Sequence, residues 1–120
     1  MPLQFGAGNV EVLGEAVVLA PSAARGVTGN GSSIDTGERG TLRLLLDITV
    51  VSGTSPTITV SVEQSHNGTT WRAHSSFVTA TAVSTERKTF GGIDRYVRAT
   101  WTIGGTGGPS FTCAVTGSAI

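Results

Sequence analysis

Residues 41–50, TLRLLLDITV, alternate between apolar and polar side chains and decide the fold of this chain. In an extended strand, alternate side chains point to opposite faces of the sheet. One face would then carry five apolar side chains, namely Leu42, Leu44, Leu46, Ile48 and Val50. The other face carries Arg43 and Asp47, with Leu45 as its one apolar exception. The stretch therefore predicts a half-buried β-strand.

A second stretch, residues 57–65, repeats the alternation and leads into a hairpin signal. Gly53-Thr54-Ser55-Pro56, between the two stretches, is typical of a turn. Asn67-Gly68 predicts a two-residue hairpin loop in which both residues adopt a positive φ. That loop would place Val62 opposite Ala73 and Gln64 opposite Trp71. Trp71, Ala73 and Phe77 would then point inward, and Arg72 and His74 outward.

The last third of the sequence predicts a second hairpin. Residues 95–103 alternate, with Val97, Ala99, Trp101 and Ile103 on the apolar face. The glycine-rich segment 104–109 reads as the loop, and the inner face of the final strand would carry Phe111, Cys113 and Val115. A symmetric hairpin of this kind would place Cys113 opposite Trp101. A short strand around residues 88–90 is expected to precede it.

The N-terminal third is less regular. Residues 15–20 read as a strand, and Val10–Leu13 as another strand or as part of an extended arm. Glycines and small polar residues at 25–40 predict a long mobile loop. The sequence thus predicts an all-β fold, an antiparallel β-sandwich or jelly-roll-like single domain at 15–120, preceded by an arm at 1–14. Within it, residues 1–9 would either order on binding a partner or a neighbouring subunit, or form a frayed terminus.

The composition narrows the classes of partner. The 120 residues carry 8 Lys+Arg and 8 Asp+Glu, so the net charge of zero gives no electrostatic reason to expect nucleic acid or a membrane. Met1-Pro2-Leu3 begins no signal peptide, and a single cysteine rules out an internal disulfide, which together predict synthesis in the cytoplasm. A chain with so few charged residues suits a protein that works inside an assembly; the alternative is a secreted domain rich in Thr and Ser.

No motif predicts catalysis, a metal or a cofactor. His66 and His74 are not joined by other ligands at a metal-binding spacing, and Cys113 reads as a small buried hydrophobe. Glu63 and Asp47 would point outward from neighbouring strands, on a flat sheet without the cleft that acid catalysis requires. The sequence therefore predicts a protein that is not an enzyme.

Several stretches carry a resemblance to known families. SHNGTTW at 65–71 resembles the Ser-x-Asp-Gly-x-x-Trp hairpin of several β-sandwich families, including carbohydrate-binding modules, with Asn67 in place of the Asp. LDITVVSGTSPT at 46–57, FGGIDRYVRA at 90–99 and WTIGG at 101–105 are together similar to small virion proteins of tailed bacteriophages. The resemblance spans roughly residues 41–117.

That resemblance implies a capsid decoration protein on the outside of an assembled phage head. It implies the major capsid protein and copies of this chain as partners, with a homotrimer expected. Two alternatives remain open, a phage tail or head–tail joining protein and a carbohydrate-binding or adhesion module that takes a surface glycan. Arginine and aromatic side chains suit protein interfaces, so Arg72, Arg95, Tyr96 and Arg98 are candidate contact residues. Leu3 and Phe5, the apolar side chains of the N-terminal segment, are the other two candidates.

Overall fold

Seven β-strands make up all the regular secondary structure in the described part of the chain. The computed structural model describes residues 15–37 and 39–120, so the predicted arm at 1–14, with Leu3 and Phe5, lies outside it. The strands are β1 (Glu15–Arg25), β2 (Gly29–Asn30), β3 (Ile34–Asp35), β4 (Thr41–Ser65), β5 (Arg72–Ser76), β6 (Ser84–Gly91) and β7 (Tyr96–Ala119). All pairings are antiparallel, which confirms the predicted all-β antiparallel class.

The centre of the sheet is a long ribbon made of β4 and β7. Their pairing runs from Leu42 opposite Ala119 to Ser65 opposite Tyr96. Around residues 41–52 of β4, the strand order is β1-β7-β4-β6, and we call this the first half of the sheet. Around residues 57–65, β2 and β3 flank β7 while β5 flanks β4, and we call this the second half. All seven strands belong to one sheet.

The turn predicted at Gly53–Pro56 and the loop predicted at 104–109 are both wrong. These segments face each other as irregular parts of the ribbon, with register shifts on both sides of Thr54. Gly53 has φ +107° and lies so close to Pro109 that a Cβ would come within 2.6 Å of the Pro109 Cα. Gly105 has φ +116°. Glycine adopts a positive φ at a β-bulge as readily as at a turn. The glycines therefore do mark irregular backbone, but that backbone forms bulges and not chain reversals.

The ribbon folds back at this point. Phe77 donates its backbone N–H to Val60 O (2.8 Å), and Phe90 pairs with Leu42. On a straight β4, Val60 and Leu42 would be about 60 Å apart. The rings of Phe77 and Phe90 are nevertheless in edge contact, with centroids 5.4 Å apart. The two halves therefore pack their inner faces together, which is consistent with the predicted sandwich although only one sheet is present.

Both halves contribute to one hydrophobic core. The predicted alternation is confirmed for Leu42, Leu44, Leu46 and Ile48, which are all buried. Val50 was predicted inward and is instead 56% exposed, because the register shift between Ile48 and Val50 reverses the facing of the strand. The remaining core includes Ile58, Val60, Val62, Phe77, Phe90, Val97, Ala99, Trp101, Phe111, Cys113 and Val115. Burial of each large side chain contributes about 1.5–3 kcal/mol.

The second predicted hairpin does not form, since its two strands are the two ends of β7. Cys113 lies opposite Ile48, while Trp101 lies opposite Val60, so the predicted Cys113–Trp101 pair is wrong. The inward orientation of both side chains is confirmed by their burial. The predicted strands at 15–20 and 88–90 are confirmed as parts of β1 and β6.

Part of the loop predicted at 25–40 lies against β7 as two short strands. Gly29 pairs with Trp101 and Ile34 pairs with Val97. The Trp101 indole donates to Val27 O (3.1 Å), and the fully buried Thr36 donates both its backbone N–H and its hydroxyl to Arg95 O. These bonds fix the segment on the second half of the sheet, where it helps build the surface described next.

Candidate binding surface

The first predicted hairpin exists, but its loop is longer and its register differs. Val62 lies opposite Ser75 and Glu63 opposite Ala73, with an irregularity between the two pairs. Ala73 is therefore exposed and Trp71 is half-buried, so the inward orientation predicted for both is wrong. Phe77 is buried as predicted.

Side chains, and not a tight two-residue turn, organise that loop. The buried Ser65 hydroxyl oxygen accepts hydrogen bonds from the backbone N–H groups of Asn67 (3.2 Å) and Gly68 (2.9 Å). Asn67 Oδ1 accepts from the N–H groups of Thr69 and Thr70, both at 2.9 Å. Gly68 has a positive φ and Asn67 does not, so the predicted turn type is wrong. Hydroxyl and amide groups that cap nearby backbone in this way hold short loops in one conformation.

Next to this loop, Arg98 is held between a carboxylate and an indole. Arg98 Nε donates to Glu63 Oε1 at 2.8 Å, and the two side chains are only 24% and 27% exposed. The guanidinium carbon lies 4.4 Å from the centroid of the Trp71 ring. Stacking and ion pairing together leave Arg98 one well-defined position.

Arg95, just before β7, is held in the same way as Arg98, by a carboxylate and an aromatic ring. Its Nε and Nη2 donate to the two carboxylate oxygens of Asp35, both at 2.9 Å, and its guanidinium lies 5.3 Å from the Tyr96 ring centroid. The hydrogen bond from Arg95, followed by that from the Gly37 N–H, lowers the pKa of Asp35 below its ordinary value. The carboxylate is therefore ionised throughout the neutral range.

Together these groups form a surface that we call the arginine face, made of Asp35, Glu63, Trp71, Arg95, Tyr96 and Arg98. Three of the predicted contact residues, Arg95, Tyr96 and Arg98, meet here, while the fourth described one, Arg72, is exposed at the start of β5. Among the described residues, Arg95 pairs with Asp35 and Arg98 pairs with Glu63, so each of these two ion pairs is electrically neutral. The face combines preordered guanidinium and aromatic groups, the side chains that dominate protein interfaces.

The sequence did not reveal the carboxylate partners. Glu63 and Asp47 were expected on neighbouring strands, and both in fact lie on β4, in different halves of the sheet. Glu63 faces Arg98 because β4 and β7 pair across 35 residues of sequence. Such a long-range pairing leaves no local signal, although outward-facing residues of opposite charge on two strands are what it requires.

The remaining candidates for chemistry lie apart. His74 was predicted to face solvent and is instead half-buried, in edge contact with Phe90 and with Nε2 2.6 Å from Gly91 O. Among residues 15–37 and 39–120, no group of three or more His, Cys, Asp or Glu side chains could hold a metal ion. No helix in that part of the chain could cross a membrane.

Comparison with protein-family models gives no match for the chain, and comparison with curated protein sequences gives none either.

Proposed function

We propose that this chain is a structural virion protein that decorates the outside of an assembled phage head and stabilises it. The observation that carries the proposal is the arginine face, on which Arg95 and Arg98 are each fixed by a carboxylate and stacked on an aromatic ring. A surface ordered before binding loses little side-chain entropy when a partner docks. We propose the major capsid protein as that partner, with copies of this chain, in a homotrimer, beside it.

Decoration would act through mass action. A ligand that binds the assembled lattice, and not the free subunits, stabilises the lattice by an amount that rises with the logarithm of its free concentration relative to Kd. The arginine face carries no net charge from its two ion pairs, so we expect its binding to depend on shape and stacking more than on long-range attraction. Moderate salt would then weaken binding only slightly.

A carbohydrate-binding module is less well supported by the same geometry. Sugar rings stack on open aromatic faces, and the two half-buried rings of this surface, Trp71 and Tyr96, each have a guanidinium over one face. A sugar that stacks on the Trp71 face covered by Arg98 would have to displace Arg98 from both Trp71 and Glu63. A tail or head–tail joining protein would use the same kind of surface and differs in copy number.

The proposal is tested on particles produced from the genome that encodes the chain. Quantitative mass spectrometry of purified virions should find the chain in many copies per head. A copy number that fits one ring per particle would instead support the joining protein. Absence of this chain from the particles would refute any virion role. Heads lacking the chain should bind the purified protein, whereas Arg98→Ala should bind more weakly. Arg43→Ala is the matched control, because Arg43 is exposed on the first half of the sheet, away from the arginine face.

A further inference from the structure

The chain contains two Asn-Gly pairs, Asn30-Gly31 and Asn67-Gly68. In such a pair the backbone nitrogen of the glycine can attack the side-chain carbonyl carbon of the asparagine. Glycine favours this attack because it has no Cβ to hinder the approach. The two atoms must also meet in the correct orientation, so contacts that hold either group elsewhere slow the reaction. The reactivity of each pair therefore depends on what holds its two groups.

The Asn67-Gly68 pair is held by the hydrogen bonds around Ser65. The Gly68 N–H, whose nitrogen would attack, donates to the Ser65 hydroxyl oxygen at 2.9 Å. The Asn67 carboxamide is fixed through Oδ1, which accepts from the Ser65 hydroxyl at 3.0 Å and from the N–H groups of Thr69 and Thr70 at 2.9 Å. Both residues of the pair lie outside the strands, between β4 and β5. Ser65 therefore contacts both of the groups that would react.

The Asn30-Gly31 pair is held by the backbone instead. Asn30 is exposed and lies in β2 opposite Thr100, and the Gly31 N–H donates to Ala99 O at 2.8 Å. These contacts join the segment to β7 and do not involve Ser65. The Asn30-Gly31 pair is therefore a reference within the same chain, with the same residue types and a different restraint.

We propose that Asn67 is a site of spontaneous deamidation and that the Ser65 hydroxyl restrains the reaction. A bond forms between the Gly68 nitrogen and Asn67 Cγ, and the bond from Cγ to Nδ2 breaks. The proton of the Gly68 nitrogen leaves with Nδ2 as ammonia, and a cyclic imide remains. A serine hydroxyl is too weak a base to take the amide proton, so its hydrogen bonds hold the pair in the unreacted arrangement. Their loss would lower the barrier.

Water completes the reaction, and Asn67 is exposed to it. Hydrolysis of the imide at Cγ gives aspartate, and hydrolysis at the Asn67 backbone carbonyl carbon gives isoaspartate, whose main chain runs through the former side chain. Each product carries a carboxylate that is ionised at neutral pH. Gly68 packs on the Tyr96 ring, since a Cβ there would lie 3.8 Å from Tyr96 Cδ2. Deamidation therefore adds a negative charge at the border of the arginine face.

The test measures the deamidation rates of both pairs in the full-length protein, by peptide mapping and mass spectrometry, at mildly alkaline pH and well below Tm. In the folded parent, Asn67 should react at least about tenfold more slowly than in the parent unfolded in urea. Ser65→Ala should speed the reaction at Asn67 about tenfold, which corresponds to about 1.4 kcal/mol in the barrier. Asn30 should keep its parent rate in this variant. Asn67→Asp supplies the standard that identifies the aspartate product.

Three results would overturn the proposal. The first is an Asn67 rate that is equal in the folded and the unfolded parent. The second is a Ser65→Ala protein in which Asn67 reacts no faster than in the parent, and a slower reaction would mean that the hydroxyl assists the attack. The third is equal acceleration at Asn30 and Asn67, which would assign the protection to global stability. No measurement here contains a phage head, so these failures are separate from a failure of the proposed function.

Discussion

Replacement of Ser65 by alanine should destabilise the protein measurably, although it removes a single oxygen atom. The Ser65 hydroxyl accepts from two backbone N–H groups, of Asn67 and Gly68, and donates to Asn67 Oδ1 (3.0 Å). The residue is 1% exposed, and the bonds are partly buried. Each net hydrogen bond contributes about 0.5–1.5 kcal/mol, and water can reach part of this loop. We therefore expect a loss of about 2 kcal/mol.

Thermal unfolding followed by circular dichroism measures this loss. For a chain of 120 residues, each kcal/mol corresponds to about 4 °C in Tm, so Ser65→Ala should melt about 8 °C below the parent. Asn67→Asp is the matched control, because its carboxylate keeps the acceptor for the Thr69 and Thr70 N–H groups. It should melt close to the parent. If Ser65→Ala shifts Tm by less than about 2 °C, side-chain capping does not hold this loop and the argument is refuted.

Three further outcomes are expected. In a double-mutant cycle by chemical unfolding, Arg98→Ala and Glu63→Ala should show a coupling of about 0.5–1 kcal/mol, since the pair is part-exposed; a coupling of zero would mean that the pair does not order the face. The pKa of Asp35 is lowered in the folded protein, so its stabilising effect should be constant above the unfolded-state pKa and lost as the pH falls through the folded-state pKa. When the pH is lowered, the free energy of unfolding of Asp35→Asn should therefore fall less than that of the parent protein. Equal decreases for the two proteins would contradict this. Gly117→Ala should fail to fold or should unfold at a far lower urea concentration, because the added Cβ would overlap the backbone oxygen of Arg43. A urea midpoint equal to that of the parent would contradict this.

The fold could be predicted from the sequence where the signal is local. The alternation at 41–48 gave the correct facing for every leucine at an even position, because one face of that strand is buried throughout. Gly53 and Gly105 misled for a physical reason. A positive φ serves a hairpin turn and a bulge equally well, and only the partner strand, about fifty residues away in sequence, distinguishes the two.

The candidate surface was predictable only in part for the same reason. Arg95, Tyr96 and Arg98 could be chosen from residue type and outward facing, which are local properties. Their partners Asp35 and Glu63 come from β3 and β4, and the register of β7 against both strands brings them together. Outward-facing arginine in a sheet indicates an interface. Only the strand register shows that Asp35 and Glu63 form ion pairs with Arg95 and Arg98.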